Sequence, residues 1–273
     1  MPDPTILVTG ATDGIGRLTA LRLAETGATL LLHGRTPGRV DAVVAEARET
    51  AGHARVHGIV ADFAVLAAVR DMAAKITAAH PRLAVLINNA GVGLGGRSDI
   101  PRELSRDGHE LRFQVNYLAP VLLTRRLLPS LVAAAPARIV NISSLGQAAI
   151  DFDDVMLERA FDGFRAYRQS KLALVMATFD LAAELAGSGV TVNALHPGWL
   201  LDTKMVREAF GEARGKPEEG AAAEVALATG AEFDRVSGCF FDQTTETRAL
   251  DQAYDEAARR RLREITDRLI GEV

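Results

Sequence analysis

The stretch Thr9-Gly10-Ala11-Thr12-Asp13-Gly14-Ile15-Gly16 joins a short apolar run at residues 5–9 to an amphipathic segment at 14–26. Its G-x-x-x-G-x-G spacing lets the backbone turn tightly, and the helix that follows offers unpaired N–H groups and a positive dipole end. Such a loop between a first strand and a first helix suits the pyrophosphate of a dinucleotide. Gly10, Thr12, Asp13, Gly14, Ile15 and Gly16 are its candidate contacts.

Working outward, short apolar runs recur at 28–33, 54–60, 84–88, 138–142, 190–195 and 238–241. Segments with helical spacing lie between most of them, at 39–50, 64–80, 106–134 and 166–186. Runs that are apolar throughout suit strands covered on both faces. The alternation predicts one α/β domain over residues 1–273, a Rossmann-type doubly wound parallel sheet of about seven strands with helices on both faces. The glycine-punctuated stretch 211–220 reads as a mobile surface loop. The charged segment 251–270, with apolar Ala253, Ala257, Leu262, Ile265 and Leu269, reads as a helix along the sheet edge.

Composition excludes several classes. With 31 basic and 35 acidic residues the net charge is −4, which leaves no basic footprint for nucleic acid or an anionic membrane. Hydrophobic residues make up 48% of the chain, enough for a large core. The lone Cys239 can form neither an internal disulfide nor a multi-cysteine metal site. No leader is visible, the first strand begins at residue 5, and apolar runs such as 83–87 are too short to span a bilayer. The expectation is a cytoplasmic protein without a membrane partner or a metal.

The end of the second strand bears on the nucleotide. A binder of NAD places a carboxylate there for the ribose 2′-hydroxyl, whereas this chain has His33-Gly34-Arg35. Arg35 can clamp a 2′-phosphate through charge-assisted hydrogen bonds, so NADP(H) is the expected cofactor. Arg39 and Arg17 add positive potential nearby, and Asp13 opposes it.

Tyr167 and Lys171 stand at i and i+4 in a helical stretch and share one helix face. A free tyrosine titrates too high for acid/base work at neutral pH; a neighbouring ammonium favours the phenolate. Together with the glycine loop, this Y-x-x-x-K pair resembles the short-chain dehydrogenase/reductase family, and further motifs follow in the family's order over nearly the whole chain. Asn88-Asn89-Ala90-Gly91 resembles its N-N-A-G loop, which passes the adenine side of the cofactor. Asp62, with Phe63 beside it, matches its adenine-contacting aspartate. In Asn141-Ile142-Ser143-Ser144 the second serine matches the catalytic one, and His196-Pro197-Gly198 matches the turn beside the nicotinamide. The resemblance therefore implies cofactor contacts at Asp62, Phe63, Asn89, Ala90, Gly91, Tyr167, Lys171, Pro197, Gly198 and Thr203, with Thr203 one residue beyond the usual spacing.

Asn116 completes the catalytic set with Ser144, Tyr167 and Lys171. It sits in an apolar helical stretch, and Pro120 four residues on cannot donate to its carbonyl, which is then free to hold a water. The family's matching asparagine holds such a water in a proton relay. The implied chemistry is carbonyl reduction or its reverse: Ser144 and Tyr167 bind the oxygen, Tyr167 moves the proton, and Lys171 holds the ribose and restores that proton.

Between Ser144 and Tyr167 the chain is longer than is usual for the family. The extra stretch 151–164 resembles the retinol-dehydrogenase-like branch, as do Phe240-Phe241-Asp242 and the trailing helix. A lid over 199–220 brings Trp199, Met205, Val206 and Phe210 to an expected apolar pocket. The leading function is a carbonyl reductase or alcohol dehydrogenase acting on a moderately apolar small molecule. The same site could instead serve a dehydration, epimerisation or cyclisation, or belong to a non-catalytic NADP(H)-binding protein. The family often forms homodimers or homotetramers across the helices that carry Asn116 and Tyr167, while members with long insertions can be monomeric.

Overall fold

The computed structural model describes residues 4–53, 55–93 and 101–271. Seven apolar runs become the strands β1 (Thr5–Val8), β2 (Thr29–Gly34), β3 (Val56–Val60), β4 (Val85–Asn88), β5 (Ala137–Ile142), β6 (Val190–His196) and β7 (Phe240–Asp242). Ala54, the expected start of the third strand, lies outside the described residues. All seven pair in parallel in the order β3-β2-β1-β4-β5-β6-β7. An eighth strand, β8 (Thr245–Thr247), adds an antiparallel edge through a tight return from β7. Its Thr-Glu-Thr sequence has no apolar run, so periodicity alone could not find it.

Strand side chains alternate between two core layers, as a period of two requires. Leu7, Leu31, Leu86 and Ile139 enter one, formed with α3 (Leu66–Ala79), α5 (Ala119–Ala134) and α6 (Gly163–Glu184). Ile6, Val8, Leu30, Leu32, Ile87 and Val140 enter the other, with α1 (Gly14–Ala24), α2 (Pro37–Ala51) and α8 (Pro217–Thr229). Each fully buried Leu or Ile contributes roughly 2 kcal/mol by removal from water. The strand order turns back at β1, flanked by β2 and β4. That switch point opens a crevice at the carboxyl ends of the strands, the usual ligand position in such sheets.

Three expectations change. The helix expected over 106–134 is interrupted: a single turn α4 (Leu111–Phe113) leads into a π-helical turn, Gln114–Leu118, before α5 begins. Ala119 N–H bonds to Gln114 O, a five-residue step, so the gap left by Pro120 opens at a π turn and not within a regular α-helix. The run Leu111–Ala134 is long and apolar enough to cross a membrane, yet 61% of its most apolar window is buried inside the protein.

The stretch 211–220 is not all loop. Leu201 bridges Gly215, and α8 starts at Pro217 with Glu218 and Glu219 in its first turn. A proline at the helix start and acids against its positive end are start signals. Before it, α7 (Lys204–Phe210) forms the lid helix.

The tail helix α9 (Glu256–Ile270) does not line the sheet edge. Ala258, Leu262 and Ile270 join the core layer beside α6, and Tyr117 Oη bonds Thr266 Oγ1 at 2.6 Å. Arg259 pairs with Asp180 of α6 at 2.7 Å and Arg125 of α5 with Asp267. Its apolar stripe finds more buried surface on the helical layer than on a three-residue edge strand.

Candidate active site

The glycine loop leaves β1 and is clamped from two sides. Asn89 Nδ2 donates to Thr9 O at 2.8 Å and Gly10 O at 3.2 Å, and Thr9 Oγ1 accepts from the Asn89 and Ala90 amides. The N-N-A-G loop thus packs directly on the glycine loop. Gly16 is required by this packing: a Cβ there would lie 2.1 Å from Asn89 Nδ2 and 2.5 Å from Gly10 O. We expect Gly16→Ala to push the two loops apart, lower Tm and weaken dinucleotide binding about tenfold or more; thermal melts and NADPH titration check this. Asn88, by contrast, is a sheet brace, donating to Asn141 Oδ1 and Thr124 Oγ1.

Asp13 caps α1 by accepting from Gly14 N, and its other oxygen takes Arg39 at 2.8 Å; that guanidinium holds the Asp13 carboxyl below the usual range. Arg17 pairs with Glu46. Arg35 is exposed, with no ion-pair partner among the described residues. At Gly34 a Cβ would meet Thr12 Cγ2 at 2.4 Å and Val40 Cγ2 at 2.9 Å, so the strand end has no room for a carboxylate side chain at that position. Asp62, half-buried, accepts from the Ala64 amide, while Phe63 is 4% exposed and buried beneath the surface.

Past the crevice, Thr203 caps α7, accepting from Val206 N, and lies against Gly14. Leu200, three residues before it, takes a positive φ of 45°. Pro197 and Gly198 form the half-buried turn after β6. Thr203 and the glycine loop therefore meet across the crevice, as a cofactor held on both sides requires.

The expected catalytic residues converge at the same edge. Helix α6 carries Tyr167 and Lys171, and Ser144 follows β5. Ser144 Oγ accepts from Gly146 N at 3.0 Å, and the Ser144 side chain acts on the Tyr167 phenol to favour its phenolate. Lys171 Nζ lies 5.6 Å from the Tyr167 ring centroid and donates to Ile142 O at 2.9 Å. Gly91 sits beside both Lys171 Nζ and Asn116 Oδ1. Ser143 is spent on structure, its hydroxyl donating to Lys171 O at 2.8 Å.

One electrostatic expectation is revised. The ammonium of Lys171 faces the tyrosine ring and the Ile142 carbonyl, not the phenol oxygen. Burial raises the Tyr167 pKa, and the group that opposes the rise is Ser144, not Lys171. Burial also brings Lys171 down to about 8, with buried Glu224 acting in the other direction. The Asn116 side chain is engaged in structure, Oδ1 accepting from Val92 N at 2.8 Å and Nδ2 donating to Val92 O and Ser170 Oγ. It braces the loop after β4, and Ser170, which donates to Tyr167 O at 2.6 Å, links it to the tyrosine. Ser170 was missed in the sequence; its place three residues after Tyr167 on the same helix face was the available signal.

Comparison with known proteins agrees with this geometry. The short chain dehydrogenase family model matches residues 4–213. Human retinol dehydrogenase 13 is 39% identical, with 99% of this chain and 86% of that protein covered. Human polyprenol dehydrogenase is 33% identical over 96% of this chain and 83% of that protein. A Shigella flexneri protein assigned to the short chain dehydrogenases and solved with NADP superposes with a TM-score of 0.73 at 28% identity, covering 88% of this chain and 97% of its own. An Escherichia coli protein of the same assignment, solved with NADPH, gives 0.73 at 28% identity, covering 89% and 97%. A glycine cradle at the sheet's switch point, a Ser–Tyr–Lys edge beside it and these matches lead to one conclusion: the chain belongs to the short-chain dehydrogenase/reductase family, as an alcohol/carbonyl oxidoreductase of retinol-dehydrogenase-like type.

Proposed function

We propose that the protein is an NADP(H)-dependent enzyme that interconverts a carbonyl and an alcohol on a moderately apolar small molecule, with Tyr167 as the acid/base. The observation that carries this reading is the meeting of Ser144, Tyr167, Lys171 and Asn116 beside the glycine cradle. Bound NADPH would supply hydride at that edge. Ser144 orients the substrate oxygen, and Tyr167, protonated near neutrality because burial raises its pKa, gives that oxygen a proton. Lys171, cationic below about pH 8, would hold the ribose, through which the proton returns to Tyr167.

The phosphate form follows from Arg35. With Arg39 and Arg17 paired to Asp13 and Glu46, Arg35 is the one of these three arginines without an ion pair among the described residues and is the candidate for a 2′-phosphate. Arg35→Asp is expected to lower kcat/KM for NADPH by roughly 30-fold and raise the relative use of NADH. Unchanged ratios for both nucleotides would remove the assignment.

The substrate class follows from the mouth of the site. Trp199 is 66% exposed, Phe210 47% and Leu145 39%. The Phe164 ring of the insertion meets Phe210 of the lid edge-on at 6.4 Å, and Met205 packs on Gly93. Relatives named for retinol and for polyprenol, both apolar alcohols, agree with that class. The insertion's acids are turn formers: Asp154 accepts from the Glu158 and Arg159 amides. The deciding measurement is NADPH consumption against a panel of ketones, aldehydes, quinones and long-chain alcohols; tight NADPH binding with no turnover on any of them would sink the redox reading. A cytoplasmic location belongs to the same proposal, and cell fractionation tests it. A homodimer or homotetramer would have to accommodate α9, which lies over α6 and the π turn.

A further inference from the structure

His33, the penultimate residue of β2, is 3% exposed and takes no part in the chemistry above. Its ring nevertheless joins the two loops that the cradle depends on. Gly10 N donates to His33 Nδ1 at 3.3 Å, and His33 Nε2 lies 3.1 Å from Ala61 O. A carbonyl can only accept, so Nε2 must carry the proton, and Nδ1 is then the acceptor that Gly10 needs. One neutral tautomer satisfies both contacts; the cation loses the Gly10 contact, and the other tautomer loses both. The backbone adds a third tie, Ala11 N to His33 O at 2.8 Å. The ring is further fixed by stacking on Phe63, with centroids 4.4 Å apart and planes 16° from parallel.

We propose that His33 is a positioning residue for the dinucleotide cradle, holding the glycine loop in register with the 61–63 segment through a neutral imidazole fixed as the Nε2–H tautomer. This rests on the reading of the crevice as a nucleotide site. Asn89 grips Gly10 by its carbonyl from the β4 side, and His33 grips it by its amide from the β2 side. The loop's height above the sheet is thereby set from both neighbours of β1. Asp62 is the charged group acting on the ring and favours the cation, but burial outweighs it and brings the pKa down to about 4. Gly10, Ala61 and Phe63 present only backbone and an uncharged ring. The bridge therefore persists over the working range of the enzyme and fails only in acid.

The test combines NMR of the wild-type protein with two variants. Imidazole nitrogen shifts should report Nε2–H and no titration until about pH 4. His33→Phe keeps a ring for Phe63 to stack on and removes both polar contacts. His33→Asn keeps an acceptor for the Gly10 amide. Expected results are an NADPH Kd about tenfold weaker for His33→Phe, a value within about threefold of wild type for His33→Asn, and an effect on KM for NADPH rather than on kcat. With wild-type binding intact, equal weakening in both variants, no weakening in His33→Phe, or a ring titrating near 6.5 would overturn the proposal. Failure of the wild-type protein to bind NADPH or NADH would instead overturn the nucleotide reading beneath it.

Discussion

Tyr167→Phe is expected to bind NADPH as the wild type does and to lose turnover by roughly 10²–10⁴-fold, the range of a positioned general acid. The substitution removes one oxygen and leaves the ring, so the packing under it survives. Lys171 remains anchored, since its direct bonds run to Ile142 O and not to the phenol. Ser144 keeps the Gly146 amide and loses only its tyrosine partner. A fall in kcat without a change in nucleotide affinity is thus the signature of lost proton transfer. Wild-type turnover in this variant would refute the role of Tyr167.

The second large effect lies outside the crevice. Glu224 of α8 is fully buried against α1; Thr19 Oγ1 donates to its Oε2 at 2.8 Å, while Oε1 has no hydrogen-bond partner among the described residues. Burial raises its pKa from 4.5 to about 8. A group whose proton is held more tightly in the fold contributes stability below its unfolded pKa and loses it as pH rises to the folded one. The wild type should therefore lose stability between about pH 4.5 and 8, by a few kcal/mol in all. Glu224→Gln keeps an acceptor for Thr19 and cannot ionise. The variant should match the wild type near pH 5 and melt roughly 10 °C higher above pH 8. Parallel Tm–pH curves for the two proteins would show that the buried carboxyl carries no such cost.

Much of this site was legible from local order along the chain. A glycine loop between an apolar run and an amphipathic segment, followed by N-N-A-G, Ser-Ser, and Tyr with Lys at helical spacing, names the crevice and its edge. The same patterns do not say how side chains divide their contacts. Arg17, Arg35 and Arg39 look alike in sequence, yet two are paired and one is not. Tyr167 and Lys171 share a helix face, but Lys171 Nζ donates to Ile142 O, and Ser144 is the group favouring the phenolate. Glu224 reads as an ordinary acid in an alanine-rich helix until α1 closes over it.

By itself, then, the sequence determined the doubly wound fold and the place of the crevice at the glycine loop, because backbone periodicity and glycine loops are local properties, while its resemblance to the family named the groups expected at the edge. Only the tertiary structure decided the π turn under Asn116, the join between insertion and lid through Phe164 and Phe210, the tautomer of His33 and the proton affinities of Tyr167, Lys171 and Glu224. Those depend on burial and on partners far away in the chain, and desolvation is a property of the packed interior that no window of sequence contains.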